Sequence, residues 1–341
     1  MTIDLKQLSA RLGLSPTTVS RALDGYRDVS EATRQRVVQA AQQLGYQPNL
    51  SARRLARGRA DAVGIVSPVD TDIMGNPLFL EMISGLSGRL DAAGIDVMLV
   101  AAREKTELRT YDRLVRGRLV DGIIVAHTRV NDERIAYLQR ARFPFLGYGR
   151  TAHAEDFCWH DFDNEAGAML AVQAMVARGH RRIAYVHAPL QVNFAQQRHS
   201  GFMRALAAAG LPLLPGHCVL GSLDRRGGYA AGQRLLAHMP GPTAILVDNN
   251  LGGVGVVRAL LQAGICIGRD ISVIVYDGVP SDTLLIDQDI AAIVHGTAHA
   301  SGETMADMLL ALIEGRPLAE RQVLGQPVFV DGRSLGDAPA A

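Results

Sequence analysis

The sequence predicts two unlike parts in tandem: a small all-α head built on a helix-turn-helix, then an α/β body of two doubly wound parallel-sheet lobes. Charge and helix signals predict the head. Residues 1–60 hold ten Lys/Arg against four Asp/Glu, a balance of +6, while the rest carries −5 and the whole chain +1. The basic stretch is also dense in helix start and stop signals. From Ala62 onward, short apolar runs alternate with amphipathic helical stretches, the pattern of parallel strands covered on both faces. At 341 residues the chain is too long for one core.

In the head, Asp4 precedes a stripe of Leu5, Leu8 and Leu12, and Gln7 completes a capping box. Gly13 ends that helix. Ser15-Pro16 starts the next, with the hydroxyl as N-cap and proline where its missing N–H costs nothing. Val19, Ala22 and Leu23 form its apolar stripe, and Asp24-Gly25 stops it. Ser30 caps a third helix with an inner face of Ala32, the stem of Arg36, Val37, Ala40, Ala41 and Leu44, ended by Gly45. Two helices joined by a tight glycine turn form a helix-turn-helix. Its second helix presents Pro16, Thr17, Thr18 and Arg21 away from the stripe, short hydrogen-bonding side chains and a guanidinium that suit phosphates and base edges. A basic head on a mildly acidic body is the balance of a polyanion-binding module joined to something else.

In the body, the runs AVGIVSP, DVMLVAA, VDGIIVA, FPFLGY, RIAYVHA, TAILVDN and ISVIVYD read as strands, and 77–93, 164–179, 196–209 and 250–263 as helices. Ligands of open parallel sheets bind at the carboxyl ends of the strands. Polar groups stand there: Ser67 and Asp70, His127 and Arg129, Tyr148 and Arg150, His187, Asp248 and Asn249, and Asp277.

Other functions find little footing. No apolar run approaches the roughly 20 residues of a membrane span, and the start, MTIDLKQLSARLG, is unlike a secretion signal. Three scattered cysteines without a CxxC pair fit a reducing compartment, so a cytoplasmic protein is expected. The acids and histidines of HAEDFCWHDFD are not read as a metal site, because strand alternation sends His160 and Asp161 to opposite faces. Neither a phosphate-binding GxxxxGK[ST] nor a GxSxG elbow is present. Neither an enzyme nor a cofactor or metal is expected.

DLKQLSARLGLSPTTVSRALDG and the following VSEATRQRVVQAAQQLGYQPNLSARRLARGR resemble the DNA-binding head and hinge of the LacI/GalR family of bacterial transcriptional regulators. NPLF, LVDGIIV, RGHRRIAYV, RHSGFMRAL, PTAILVDNN and GRDISVIVYD extend the resemblance through the family's effector domain, of the periplasmic-binding-protein type. TRVNDER, FPFLGYGRT, WHDFDN and NFAQQRHSGF resemble the branch responsive to α-glucosides and raffinose-like α-galactosides.

The resemblance implies a head at 1–47, a hinge helix and linker at 48–60, an effector and dimerisation domain at 61–335 and a short tail at 336–341. It implies a homodimer on palindromic double-stranded operator DNA, a repressor of carbohydrate-utilisation genes modulated by a sugar between the lobes. DNA contacts then fall on Ser15, Pro16, Thr17, Thr18, Ser20 and Arg21 of the head. Those of the hinge fall on Asn49, Ser51, Arg53, Arg54 and Leu55, the leucine as a wedge between base pairs. The expected effector set is Asp70, Phe79, His127, Trp159, Asp163, Phe194, Arg198, Asn249 and Asp277, where Arg and carboxylates meet hydroxyls and rings pack the apolar sugar face. The sequence departs from the family at Asn250, where an aspartate is usual, and at Gly278, where a second acid is usual. A regulator of the same architecture sensing a non-sugar metabolite, such as a purine corepressor, is the alternative. A free transport component would lack the basic head. The apolar Leu78, Leu80, Met82 and Ile83 exceed what their own lobe needs and are expected at the dimer contact.

Overall fold

The computed structural model describes residues 3–23, 25–26, 28–46, 58–68, 75–280, 289–318 and 320–339. Asp24, the hinge residues Asn49, Ser51, Arg53, Arg54 and Leu55, and the cleft candidate Asp70 lie outside them. Two units separate at the boundary of Ala60 and Asp61.

Three helices make the head: α1 (Leu5–Leu12), α2 (Pro16–Leu23) and α3 (Glu31–Gln43). Each starts where a side-chain oxygen replaces the missing acceptor of a first-turn N–H. Asp4 accepts the Gln7 N–H at 2.7 Å while the Gln7 side chain accepts the Asp4 N–H at 3.0 Å. Ser15 Oγ accepts the Thr18 N–H at 3.0 Å and Ser30 Oγ that of Thr33 at 3.3 Å. Helices this short are marginal alone, and Leu8, Leu12, Val19, Ala22, Val29, Val37 and Ala41 bury one another at their centre. Ala32 and Arg36, expected on the inner face, are exposed. The Arg36 guanidinium instead ties α3 to α1 by donating to the Leu12 carbonyl at 2.6 Å.

The body begins with β1 (Ala62–Pro68), α4 (Pro77–Asp91), β2 (Asp96–Ala102), α5 (Glu107–Arg116), β3 (Gly122–Ala126), α6 (Glu133–Ala141), β4 (Phe145–Tyr148) and β5 (Trp159–Phe162). Then come α7 (Asn164–Ala177), β6 (Ile183–His187), α8 (Asn193–Ala208), β7 (Cys218–Leu220), α9 (Arg225–Leu236), β8 (Ala244–Val247), α10 (Asn250–Gln262), β9 (Ser272–Tyr276) and β10 (Ala291–Val294). Finally α11 (Ala298–Glu314) leads to β11 (Gln322–Gly325) and β12 (Val328–Val330).

These strands form two sheets on one plan, β11-β5-β4-β3-β1-β2 in the amino-terminal lobe and β12-β10-β9-β8-β6-β7 in the carboxy-terminal lobe. The pairings are parallel except for β10 with β12. Central strands are covered on both faces, so β3, β8 and β9 are buried throughout and read in sequence as unbroken apolar runs. The chain passes between lobes after β5, after β10 and between β11 and β12.

Leaving β10, α11 packs against α4 of the other lobe. A Cβ on Gly85 would meet the His299 carbonyl oxygen at 2.1 Å, and one on Gly302 that of Met82 at 2.2 Å, so glycine lets the two backbones touch. This contact corrects part of the expected dimer surface: Met82 lies in the core of its own lobe and Ile83 packs against it. Leu78 lines the cleft, and only Leu80 stays outward, 54% exposed. Among the described residues no helix is long and apolar enough to cross a membrane.

Candidate functional site

A cavity of about 390 Å³ lies where the carboxyl ends of both sheets face each other, within the size range of ligand pockets. The amino-terminal lobe supplies Asn76 and Phe79 from the start of α4, His127 after β3, Tyr148 ending β4, and Asp161 and Phe162 ending β5. From the carboxy-terminal lobe come Phe194 and Arg198 on the first turns of α8, Asn249 after β8, Asp277 after β9 and His295 after β10.

Arg198 is buried, yet among the described residues no carboxylate pairs with it. Its Nε donates to Asn164 Oδ1 at 2.8 Å, and one terminal nitrogen donates to the Asp248 carbonyl. The guanidinium lies 3.6 Å from the Tyr276 ring centre and 4.7 Å from that of Phe194, a stacked cation held flat. Asp248 sits behind it, its carboxylate accepting the Ala188 N–H at 2.7 Å and an Asn249 side-chain N–H at 2.9 Å. Burial raises the Asp248 pKa, with the Arg198 charge working against that rise. Asn249 caps α10 by accepting the Gly252 N–H at 2.7 Å.

Asp277 adopts φ +63° and His127 φ +48°, a left-handed conformation uncommon outside glycine and concentrated at functional turns. Asp277 Oδ1 meets His295 Nε2 at 3.0 Å, and the His295 ring stacks on Phe162 with centres 3.5 Å apart. Burial pushes the Asp277 carboxyl up, but the His295 hydrogen bond and the charges of His295 and Arg198 outweigh it, leaving the pKa lowered. At His127, burial and the Arg134 charge push the imidazole down to about 4, so the ring is neutral at pH 7 and can donate or accept.

Of the expected effector residues, Phe79, His127, Phe194, Arg198, Asn249 and Asp277 meet in this cavity. Trp159 and Asp163 do not line it, contrary to expectation. Trp159 opens β5 at the end remote from the cleft; its ring is buried and its Nε1–H donates to the Ala154 carbonyl at 3.0 Å. Asp163 is spent capping α7, accepting the Ala166 N–H at 3.0 Å. Sequence reasoning missed Asn76, Asp161, Phe162, Asn250 and His295. The strand-end rule finds three of them once it is applied to β5, read for its alternation but not for its carboxyl end, and to β10, which is only four residues long.

On the head, Pro16, Thr17 and Arg21 are exposed and Ser20 is half-buried. Ser15 and Thr18 engage each other, hydroxyl to hydroxyl, at 2.8 Å. Arg21 holds Asp28 at 2.6 Å, an exposed pair of small net worth that a phosphate can replace.

Residues 5–49 match the family model described as bacterial regulatory proteins, lacI family. Residues 60–328 match that of periplasmic binding proteins and the sugar binding domain of the LacI family. The chain is 38% identical to the HTH-type transcriptional regulator RafR of Escherichia coli, over 98% of each chain. It is also 38% identical to the HTH-type transcriptional regulator AglR of Rhizobium meliloti (strain 1021), over 99% of this chain and 96% of that one. A solved complex of the transcriptional regulator CelR with cellobiose shares the fold at a TM-score of 0.73 and 27% identity, covering 97% of this chain and 99% of that one.

Proposed function

The chain belongs to the LacI family of bacterial regulatory proteins, and we propose that it is a cytoplasmic, homodimeric repressor of carbohydrate-utilisation genes whose operator grip is modulated by a neutral sugar in the cleft. One observation carries the sugar reading. Arg198, Asp161 and Asp277 line the cavity, each held in place by partners inside the protein, so the site offers fixed hydrogen-bond donors and acceptors. Phe79, Phe162 and Phe194 add rings for an apolar face. That combination fits a polyhydroxylated ligand. The likeness to RafR and AglR favours an α-galactoside or α-glucoside, and the cellobiose complex of CelR favours a ligand of disaccharide size.

DNA binding is assigned to Ser15, Pro16, Thr17, Thr18, Ser20 and Arg21, with Asn49, Ser51, Arg53, Arg54 and Leu55 forming a hinge in the minor groove. Leu80 on α4 and Met98 and Leu99 on the edge strand β2 are exposed and suit the contact between subunits. Two-fold symmetry then places two heads on a palindrome. Sugar binding changes the angle between lobes and shifts the DNA-competent population. A near-complete switch needs a preference of about 5.5 kcal/mol for one state. No catalytic step is assigned.

The test is operator binding to the upstream region of its own and adjacent genes, titrated with raffinose, melibiose, maltose, sucrose and trehalose, alongside thermal melting with each sugar. One α-linked class should raise the melting temperature and change operator affinity without being consumed. A shift with purines and none with any sugar would sink the sugar reading; turnover of a sugar would sink the regulator reading of the cleft.

A further inference from the structure

Two asparagines join the lobes directly across the cavity. Asn76, at the start of α4 in the amino-terminal lobe, donates its Nδ2–H to Asn250 Oδ1 at 3.2 Å. Asn250, the first residue of α10 in the carboxy-terminal lobe, donates its own Nδ2–H to Asn76 Oδ1 at 2.9 Å. Each oxygen also accepts an N–H of its own helix start, Leu78 at 3.1 Å for Asn76 and Leu251 at 2.9 Å for Asn250. Those backbone donors decide which end of each amide is oxygen, so each side chain is oriented by one lobe and directed at the other. Both asparagines line the cavity.

A reciprocal pair requires a donor and an acceptor on each side, which only amides supply here. The aspartate usual at the position of Asn250 accepts but returns nothing. We propose that Asn76 and Asn250 form a neutral latch that holds the cleft closed without ligand and so sets how far an effector can still shift the lobes. Neutral hydrogen bonds are modest in net worth, which leaves the pair weak enough to exchange with a ligand hydroxyl. A latch bearing a carboxylate would hold more tightly and respond less.

The two lobes also meet through backbone bonds that report opening: the Asn193 N–H donates to the Thr128 carbonyl at 2.8 Å and the Val130 N–H to that of Gln191 at 3.0 Å. Their hydrogen exchange in the full-length, ligand-free protein measures the open population. An aspartate oxygen accepts a helix-start N–H as an asparagine oxygen does, so Asn→Asp changes spare the bonds to Leu78 and Leu251 and isolate the latch. Asn76→Asp or Asn250→Asp alone leaves one amide facing a carboxylate, and both reporter amides should exchange within about threefold of wild type. The double variant has no donor left and sets two carboxylates against each other; exchange should accelerate by about tenfold or more. Double-variant exchange no faster than the product of the two single effects would overturn the latch, because uncoupled caps behave that way. Should the double variant fail to fold, Asn76→Ser compared with Asn76→Asp decides, because serine keeps the helix cap but is too short to bridge to Asn250. Equal exchange in those two single variants overturns the proposal, and faster exchange in the serine variant supports it. No ligand is present in these measurements, so the result is independent of which molecule the cleft takes.

Discussion

Each lobe buries one arginine beside the carboxyl ends of its strands, and the two are held in opposite ways. Arg134 of the amino-terminal lobe is 2% exposed and Arg198 of the carboxy-terminal lobe 5%, so burial does not separate them. Their partners do. Arg134 is met by Asp132 at 2.7 Å and Glu107 at 3.0 Å, and its remaining reach goes to the His127 carbonyl at 2.9 Å. At Asp132, burial opposes ionisation, but the hydrogen bond and charge of Arg134 win and the pKa falls. This guanidinium is scaffold: it closes an ion network and pins the turn that carries His127. Arg198 leans on an amide oxygen, a carbonyl and two aromatic faces, acceptors that orient a cation without neutralising it. The comparison teaches that the partner set, rather than burial or residue type, tells a structural arginine from a ligand-facing one.

The largest effect expected is on stability at the first of these. Arg134→Met leaves the buried Asp132 without its cation and Glu107 with Arg129 alone, and should cost about 3–5 kcal/mol, read as a lower urea midpoint. A loss under 1 kcal/mol would break the comparison. Arg198→Ala should act mainly on the ligand instead. Loss of one charged hydrogen bond costs about 1.5–3 kcal/mol, so effector affinity should fall about tenfold to a hundredfold by calorimetry while operator affinity without ligand stays near wild type. Retained ligand response in Arg198→Ala would remove that residue from the site.

A smaller effect is expected from pH. Burial, joined at His127 by the Arg134 charge, brings the His127 and His160 rings to about 4 from an ordinary 6.5. A folded pKa below the unfolded one means that the unfolded chain takes up protons first. The stability these neutral rings contribute is therefore complete above pH 6.5 and is lost as pH falls towards 4. His127→Asn should flatten part of that slope in melts between those limits, and in Arg134→Met the His127 ring should titrate higher than in the wild type. The smallest effect belongs to Trp159→Phe. A ring outside the cavity should leave effector affinity within about twofold, whereas Phe79→Ala should weaken it several-fold by removing a lining ring.

The head was almost wholly legible because its determinants are local. Asp4 with Gln7, and Ser15 and Ser30 with their first turns, act across three residues, and such spacing is written in the chain. Long apolar runs such as AVGIVSP and DVMLVAA matched their strands residue for residue. The short strands β10 and β11 were hidden, since four residues carry too little periodicity to declare themselves. Part of the lining went unread with them: the end of β5 did not register as a strand end, and Trp159 and Asp163 stood for the cleft where Asp161 and Phe162 reach it.

By itself, then, the sequence determined the basic three-helix head, the parallel-sheet lobes, and the strand ends where His127, Asn249 and Asp277 would be found. Tertiary structure alone decided which of those ends face one another. Phe162 stacks on His295, β5 pairs with β11, and Asn76 bonds Asn250, contacts between residues far apart in the chain that depend on three crossings between lobes. Caps and alternation are short-range and leave a mark in neighbouring residues, whereas a cleft is assembled by long-range closure and leaves none.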